Sequence, residues 1–403
     1  MPSETVTCDV LIVGGGPAGL ATAQTLAPHA RVLVVHQDRE IGRPVRTSGG
    51  TFVDDMEALG VPPHLYNTIN TLDIRSDNAR SLHHLTRRKL AVLDITATYQ
   101  WLADDARAAG ATILTGTKFI TTHETAEGYE SEIRALGAKD TQTVRSRYIV
   151  DASGTPHAVL TALGIDTRPE RTGVGIEREF EIISAPKDRA VLFVGGDVRA
   201  GYGWIFPAPN NHIRIGVGII QPDHDISPRE VYDTVVTPEF LRAHDLELGP
   251  LVQTNAGVIP SVPYAPTLLH GNVIRVGDTA NFATPTVGEG IRFAIKYGRV
   301  LGAALADTLA TGRRTPLERY ERECRKAFGK NYRIGFAANR RIATYDAAQW
   351  DKSVARIARL NEDEVLDLIR SEFPLRSLAR TIVRQGMWKA SRVIRTRLAK
   401  PQL

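Results

Sequence analysis

Residues Asp9 to Leu20 read Asp-Val-Leu-Ile-Val-Gly-Gly-Gly-Pro-Ala-Gly-Leu, and no other stretch restricts the fold as much. Val10 to Val13 is a continuous apolar run of the kind that fills a strand covered on both faces, which is the signature of a parallel sheet. Gly14, Gly16 and Gly19 follow at G-x-G-x-x-G spacing, with Pro17 and Ala18 inside the motif, and a helical pattern continues through Leu26. Each glycine has its own expected task. Gly14 permits the tight turn, Gly16 lets a pyrophosphate approach the backbone, and Gly19 lets helix and strand pack closely. Phosphates would then meet free N–H groups at the positive end of the helix. Glycines in this spacing are common; after an apolar strand and before a helix they indicate a dinucleotide site.

The chain has 403 residues, 42% hydrophobic and 24% charged, enough for two or more domains with their own cores. Its two cysteines, Cys8 and Cys324, form no C-x-x-C pair, so disulfide frameworks, zinc sites and iron–sulfur clusters are not expected. Met1 to Thr7 is polar and lacks a basic region before an apolar one. No apolar run reaches the roughly 18 residues of a spanning helix. The expected location is cytoplasmic.

Arg31 to Val35 reads as the second parallel strand and ends in His36-Gln37-Asp38. An acidic residue there usually binds ribose hydroxyls. Three readings stay open: Asp38 reaches the ribose, His36 substitutes for it, or all three are polar loop residues. Glu40 to Phe52 is a Gly-, Pro- and Arg-rich loop, within which Arg46 is either a phosphate or flavin contact or an ordinary surface arginine. Helical spacing covers Ile95 to Ala109, and a strand follows over Ala111 to Leu114. Glu132 to Leu136 and Thr141 to Val144 flank a hairpin turn. Arg147 to Val150 is a further strand, ending in Asp151-Ala-Ser-Gly154. Val174 to Ile220 is strand-like and suggests a second, antiparallel sheet. Val273 to Val276 returns to a buried strand, and helices are expected from about Gly288 to Leu309 and from a capping box at Thr315-Pro-Leu-Glu318 onward to the end.

Two stretches carry chemistry. In Gly201-Tyr-Gly-Trp-Ile-Phe-Pro207, strand alternation puts Tyr202, Trp204 and Phe206 on one face. The next strand, Ile213 to Ile219, puts its branched residues on one face and Gly216 and Gly218 on the other. An aromatic wall beside a bare glycine floor suits a long apolar or flat ligand. In Gly277-Asp278-Thr-Ala-Asn-Phe-Ala-Thr-Pro-Thr-Val-Gly-Glu-Gly290, Asp278 at a strand end can accept hydrogen bonds from cofactor hydroxyls. Gly288 and Gly290 would offer backbone N–H groups to a reduced flavin ring.

These motifs together resemble the FAD flavoproteins of the p-hydroxybenzoate hydroxylase fold. Within them, Tyr202-x-Trp204-x-Phe206-Pro207, eight residues and then Gly216-x-Gly218 is similar to the substrate motif of geranylgeranyl reductases. The resemblance spans residues 5 to about 312. It implies an α/β (α+β overall) architecture: a doubly wound, Rossmann-type FAD-binding domain over 1–70, 90–172 and 262–312, an antiparallel β-sheet substrate domain over 71–89 and 173–261, and a helical C-terminal region over 313–403. It further implies FAD held by Gly14, Gly16, Pro17, Ala18, Gly19, the His36-Gln37-Asp38 end, Arg46, Asp151, Gly154, Gly277, Asp278, Pro285, Gly288, Glu289, Gly290 and Ile291. The implied reaction is reduction of isoprenoid carbon–carbon double bonds. Two departures stand out: His36 replaces the usual acidic residue, and Thr47 stands where many members carry a cysteine.

An isolated alkene accepts hydride poorly unless a proton arrives with it. The faces of Trp204 and Tyr202 would stabilise the developing positive charge. The proton donor is unassigned, with Tyr202 and a bound water as candidates. Neither a second nucleotide fingerprint nor cluster cysteines are present, so electrons must come from a transient donor, either NADPH or NADH or a reduced partner protein. Arg376 to Lys400 carries eight basic residues and no acid. This end either docks on the anionic inner face of a membrane or forms a solvated helix face. A nucleic-acid partner is not expected. The rival readings are a flavin monooxygenase or halogenase on the same fold, and a non-catalytic flavin or lipid carrier. The halogenase reading is weakened because the first lysine is Lys89.

Overall fold

The computed structural model describes residues 5–196 and 198–373, without the Arg199 side chain. At its centre is a six-stranded sheet. Strands Val273–Arg275, Tyr148–Asp151, Val10–Val13, Val32–Val35 and Thr112–Leu114 run parallel, in that spatial order. Leu269–His270 adds an antiparallel edge. The uninterrupted apolar runs follow from covering both faces. Val10 and Ile12 pack with Val34, Val150 and Ile274 against helices. Leu11 and Val13 pack with Leu33, Val35 and Ile149 against Phe119, Tyr129 and Val144 of a four-stranded sheet.

On the helical face, Pro17–Leu26 lies against Ile291–Thr311. The two backbones come close because Gly298 and Gly302 face them. A Cβ on Gly298 would stand 2.5 Å from the Ala18 carbonyl oxygen, and one on Gly302 2.7 Å from that of Thr22.

The second layer is a seven-stranded sheet in the order Glu247–Pro260, Thr172–Ser184, His212–Gln221, Val198–Ala208, Arg189–Gly195, Thr71–Arg75 and Arg80–His84. All neighbours are antiparallel except Arg189–Gly195 with Thr71–Arg75. A small sheet of Gly50–Phe52, Leu90–Leu93 and Tyr66–Ile69 joins the two layers.

Two sequence expectations shift. The helix placed at about Gly288 begins at Ile291, because Gly288 adopts φ +71° and Gly290 is the residue that opens the helix. The helix expected to be capped by Thr315 spans Thr315–Ile342; Arg314 precedes it and no side chain caps it. Helices Ala347–Ile357 and Glu362–Ile369 follow, both opened by capping boxes, Asp346 with Gln349 and Asn361 with Glu364. The basic run Arg376 to Lys400 lies outside the described residues.

Candidate active site

The first turn divides its glycines by task. Gly14 sits at φ +117°, and a Cβ there would lie 2.1 Å from the Ala152 carbonyl oxygen. A Cβ on Gly19 would lie 2.1 Å from the Gly14 oxygen, so helix and turn touch backbone to backbone. Gly16 meets nothing within 4 Å and opens the helix with no side-chain cap. The free end of Pro17–Leu26 is therefore uncovered where a pyrophosphate would lie.

Gly277 brings the second motif to this point, since a Cβ on it would stand 2.9 Å from that of Ala18. A short 3-10 turn, Gly277–Ala280, follows and separates the strand from the later helix. Thr279 Oγ1 donates to the Asp151 carbonyl at 2.6 Å and locks the adjacent strand ends together. Burial alone pushes the half-buried Asp278 carboxyl up to about 6. No described residue donates a hydrogen bond to it. An uncompensated carboxylate beside an open helix end is what a ribityl or ribose hydroxyl would satisfy, so these residues fit FAD.

Other expected cofactor residues are engaged within the chain. The buried Asp151 carboxylate accepts from Ser153 N and Oγ at 3.2 and 2.6 Å and from Val159 and Leu160 N at 3.2 and 3.3 Å. It fastens the turn through Gly154 rather than facing outward. His36 Nδ1 accepts from Gly15 N at 3.2 Å, which braces the glycine turn, and burial lowers its basicity. Asp38 takes both terminal nitrogens of Arg46, at 2.7 and 3.1 Å, and Gln37 is exposed. Glu289 is bound by Arg292 Nε at 2.8 Å and by Thr51 at 3.4 Å. Arg292 also reaches Asp55, Glu372 and the Arg370 carbonyl. Gly290 and Ile291 stand at the helix start, where Ile291 is buried.

Between the two layers lies a cavity of about 350 Å³. It is lined by Arg46, Thr47, Ser48 and Thr284 to Gly288, and by Tyr202 and Trp204. Ile74, Leu192, Val194, Ile342, Ile357 and Ile369 make the rest largely apolar. Phe206 lines a smaller neighbouring cavity of about 80 Å³, which shares Tyr202, Val287 and Gly288 with the first. Tyr202, Trp204 and Phe206 form one row, with ring centroids 5.7 and 6.4 Å apart.

The glycine floor is not bare. Trp204 pairs directly across the strands with Gly216, and Tyr202 with Gly218. A Cβ on Gly216 would stand 2.4 Å from the indole, and Gly175 and Gly218 would place theirs 3.3 and 3.4 Å from it. The glycines make a berth for the indole, and the expectation of a bare floor is corrected: the Trp204 ring packs over them, and it lines the cavity together with Gly175 and Gly218.

At the Nε1 edge of the indole, and lining the same cavity through Glu177 and Asn255, lies a polar network that the sequence motifs did not reveal. Trp204 Nε1 donates to Glu177 Oε2 at 2.8 Å, and Asn255 Nδ2 donates to Glu177 Oε1 at 2.9 Å. Arg214 pairs with Glu179 at 3.1 Å and donates to the carbonyls of Ser48 and Leu93 at 3.0 and 2.9 Å. It thus ties the cavity sheet to the backbone at Ser48 and Leu93. The available signal was the alternation Gly173, Gly175, Glu177, Glu179, which puts two acids on the face of the small residues.

The last helices also contribute to the cavity. Trp350, Ser353, Ile357, Leu368 and Ile369 line the cavity. Asp351 accepts from Ser76 Oγ and Asn78 N at 2.7 and 2.9 Å, and Glu362 accepts from Arg87 and Arg88 N at 2.8 and 2.9 Å.

Residues 7–333 match the family model described as "FAD binding domain". The chain belongs to this FAD-binding family. It is an FAD-dependent oxidoreductase, and its cofactor is FAD. Digeranylgeranylglycerophospholipid reductase 1 of Methanothermobacter thermautotrophicus is 27% identical, covering 80% of this chain and 83% of the relative. A geranylgeranyl bacteriochlorophyll reductase-like protein from Thermoplasma acidophilum superposes with a TM-score of 0.80 at 20% identity, covering 94% of this chain and 96% of that one. A p-nitrophenol 4-monooxygenase from Pseudomonas putida superposes at 0.71 and 18% identity, covering 91% and 96%. The fold is therefore shared by reductases and oxygenases. Among the described residues, no helix is long and apolar enough to cross a membrane.

Proposed function

We propose that the protein saturates carbon–carbon double bonds of an isoprenoid chain, with reduced FAD as the hydride source. One observation carries this reading: a single, largely apolar cavity is lined both by Thr47, Ser48 and Thr284–Gly288, where the flavin edge would sit, and by Tyr202 and Trp204. Arg46 is the one basic residue among the described residues that line it, so the cavity suits a hydrocarbon chain better than a phosphate. The relative named digeranylgeranylglycerophospholipid reductase supports the same substrate class.

Reduced FAD, when bound, would supply the hydride, which carries both electrons of the reduction. The chain supplies position, dryness and charge stabilisation. Trp204 and Tyr202 present π faces to a carbon gaining positive charge. The Tyr202 hydroxyl donates to the Val287 carbonyl, which holds the wall against the Val287–Gly288 turn. The helices Ala347–Ile357 and Glu362–Ile369, which line the cavity through Trp350, Ile357, Leu368 and Ile369, would shield a bound chain from water. Electrons reach the flavin from a transient donor, a reduced nicotinamide or a partner protein. Docking of the basic run Arg376 to Lys400 on anionic lipid would place the cavity near its substrate.

Anaerobic reoxidation tests the reading. Protein reduced with dithionite is mixed with geranylgeranyl lipids, prenyl quinones or prenyl diphosphates, and the yellow flavin spectrum is followed beside a mass spectrum of the lipid. Return of the spectrum with a gain of two hydrogens per bond is expected. Hydroxylation or halogenation of an aromatic only in oxygen would support the monooxygenase reading instead. Bound flavin that no donor and lipid ever cycle would identify a carrier. Among the described residues, no lysine lines either cavity, which leaves the halogenase variant without its usual cation.

A further inference from the structure

Alkene reduction by hydride needs a proton, and the cavity offers few sources. Among the described residues that line it, three carry a titratable side chain: Arg46, Tyr202 and Glu177. A guanidinium does not release its proton near neutrality. The Tyr202 hydroxyl is committed to the Val287 carbonyl, and burial moves its proton loss far above the usual tyrosine range. Glu177 remains. It is 2% exposed, and its nearest cation, Arg214 Nε, stands 3.9 Å away and is committed to Glu179.

We propose that Glu177, in its neutral form, is the proton donor to the isoprenoid double bond. The proposal rests on the functional reading above. The carboxyl proton passes to one alkene carbon as the π electrons form the new C–H bond, and hydride from reduced FAD completes the other carbon. Glu177 is left as a carboxylate, and water returns its proton before the next cycle. The two N–H donors, from Trp204 and Asn255, fit this task because they stabilise the carboxylate just as it forms. The same hydrogen bond from Trp204 links the donor to the wall: as Glu177 becomes negative, the indole over the substrate becomes a better host for positive charge.

The charge environment supports a neutral acid. Burial raises Glu177 above an ordinary glutamate, Glu179 adds to this, and Arg214, Asn255 and Trp204 oppose it. Tyr232, whose hydroxyl is itself raised by burial and by Glu177, lies on the neighbouring helix Pro228–Val235. Glu179, surrounded by Arg214, Gln253 and His212, is lowered and stays charged. Two adjacent carboxyls in separate environments are thus pushed in opposite directions, Glu177 toward its neutral form and Glu179 toward its charged one.

The test uses FAD-loaded full-length protein and its Glu177→Gln variant, reduced anaerobically and mixed with a geranylgeranyl lipid. The variant is expected to bind FAD and accept electrons from dithionite but to reoxidise at least about a hundredfold more slowly. Glu177→Asp is expected to recover part of the rate. A second readout needs no turnover. In the FAD-free protein, Trp204 emission is expected to titrate with a midpoint above the ordinary glutamate range, and to lose that step in both Glu177→Gln and Trp204→Phe. A wild type that turns over beside an equally fast Glu177→Gln overturns this proposal alone. A wild type that reduces no prenyl lipid overturns the functional reading and the proposal with it. If Glu177→Gln fails to fold, Asn255→Ala replaces it. Loss of that donor raises Glu177 further, so the alkaline limb of the rate profile moves to higher pH, and an unmoved limb overturns the proposal.

Discussion

The two glycine-bearing regions of this molecule use the same residue for opposite purposes. At Gly14, Gly16 and Gly19 the absent side chain lets backbone meet backbone and leaves a helix end open. At Gly175, Gly216 and Gly218 the absent side chain makes room for another side chain, the Trp204 indole. The first arrangement prepares a polar surface for a charged ligand, and the second prepares an apolar one. A glycine in a motif therefore says that something comes close; only its cross-strand or cross-turn neighbour says what.

The contrast is broken most severely at the turn. Gly14→Ala places a methyl against the Ala152 carbonyl at a positive φ, which costs about 3 kcal/mol or more in strain and overpacking. The variant is expected to purify colourless, with a lowered Tm by calorimetry. Gly216→Ala is milder for the fold, about 1–3 kcal/mol, because a side chain and not backbone is displaced. It is expected to keep stoichiometric FAD by absorbance while reoxidation by prenyl lipid falls at least about tenfold. Equal loss of flavin in both variants would erase the distinction between the two regions.

Asp278 sharpens it further. In the FAD-free protein its folded pKa of about 6 exceeds the ordinary 3.8, so its contribution to stability is fully present below pH 3.8 and is lost as pH rises through 6. Asp278→Asn is therefore expected to raise the apoprotein Tm relative to wild type at pH 7, with the gap closing toward pH 4, while weakening FAD binding at both. The smallest effect is expected at the exposed Arg46–Asp38 pair. Arg46→Ala should change stability by under about 1 kcal/mol in denaturant titration.

The parallel sheet was legible because Val10 to Val13 and Val32 to Val35 are apolar at every position, which only double coverage explains. The aromatic row was legible from alternation. What alternation cannot supply is the partner across the sheet. The turn Pro209 to His212 fixes Ala208 opposite His212, and that register alone sets Trp204 over Gly216. Reading the faces without the register produced a bare floor. The Glu177 network stayed hidden for a related reason: its members, Trp204, Asn255, Glu179 and Arg214, come from four strands, and pairing alone brings them together. The carboxylates of Asp151 and Glu289 fasten their own turn and helix start, a role the sequence could not separate from cofactor binding, because a strand-end or helix-start acid has the same signature in either case.

A crystal structure of the FAD-loaded protein tests the central claim most directly. The pyrophosphate is expected at the Gly16 end of Pro17–Leu26, a hydroxyl on Asp278, and the isoalloxazine edge opening between Ser48 and Gly288 onto the Trp204 indole. A ring system lying outside that cavity, with Trp204 remote from its reactive edge, would contradict it.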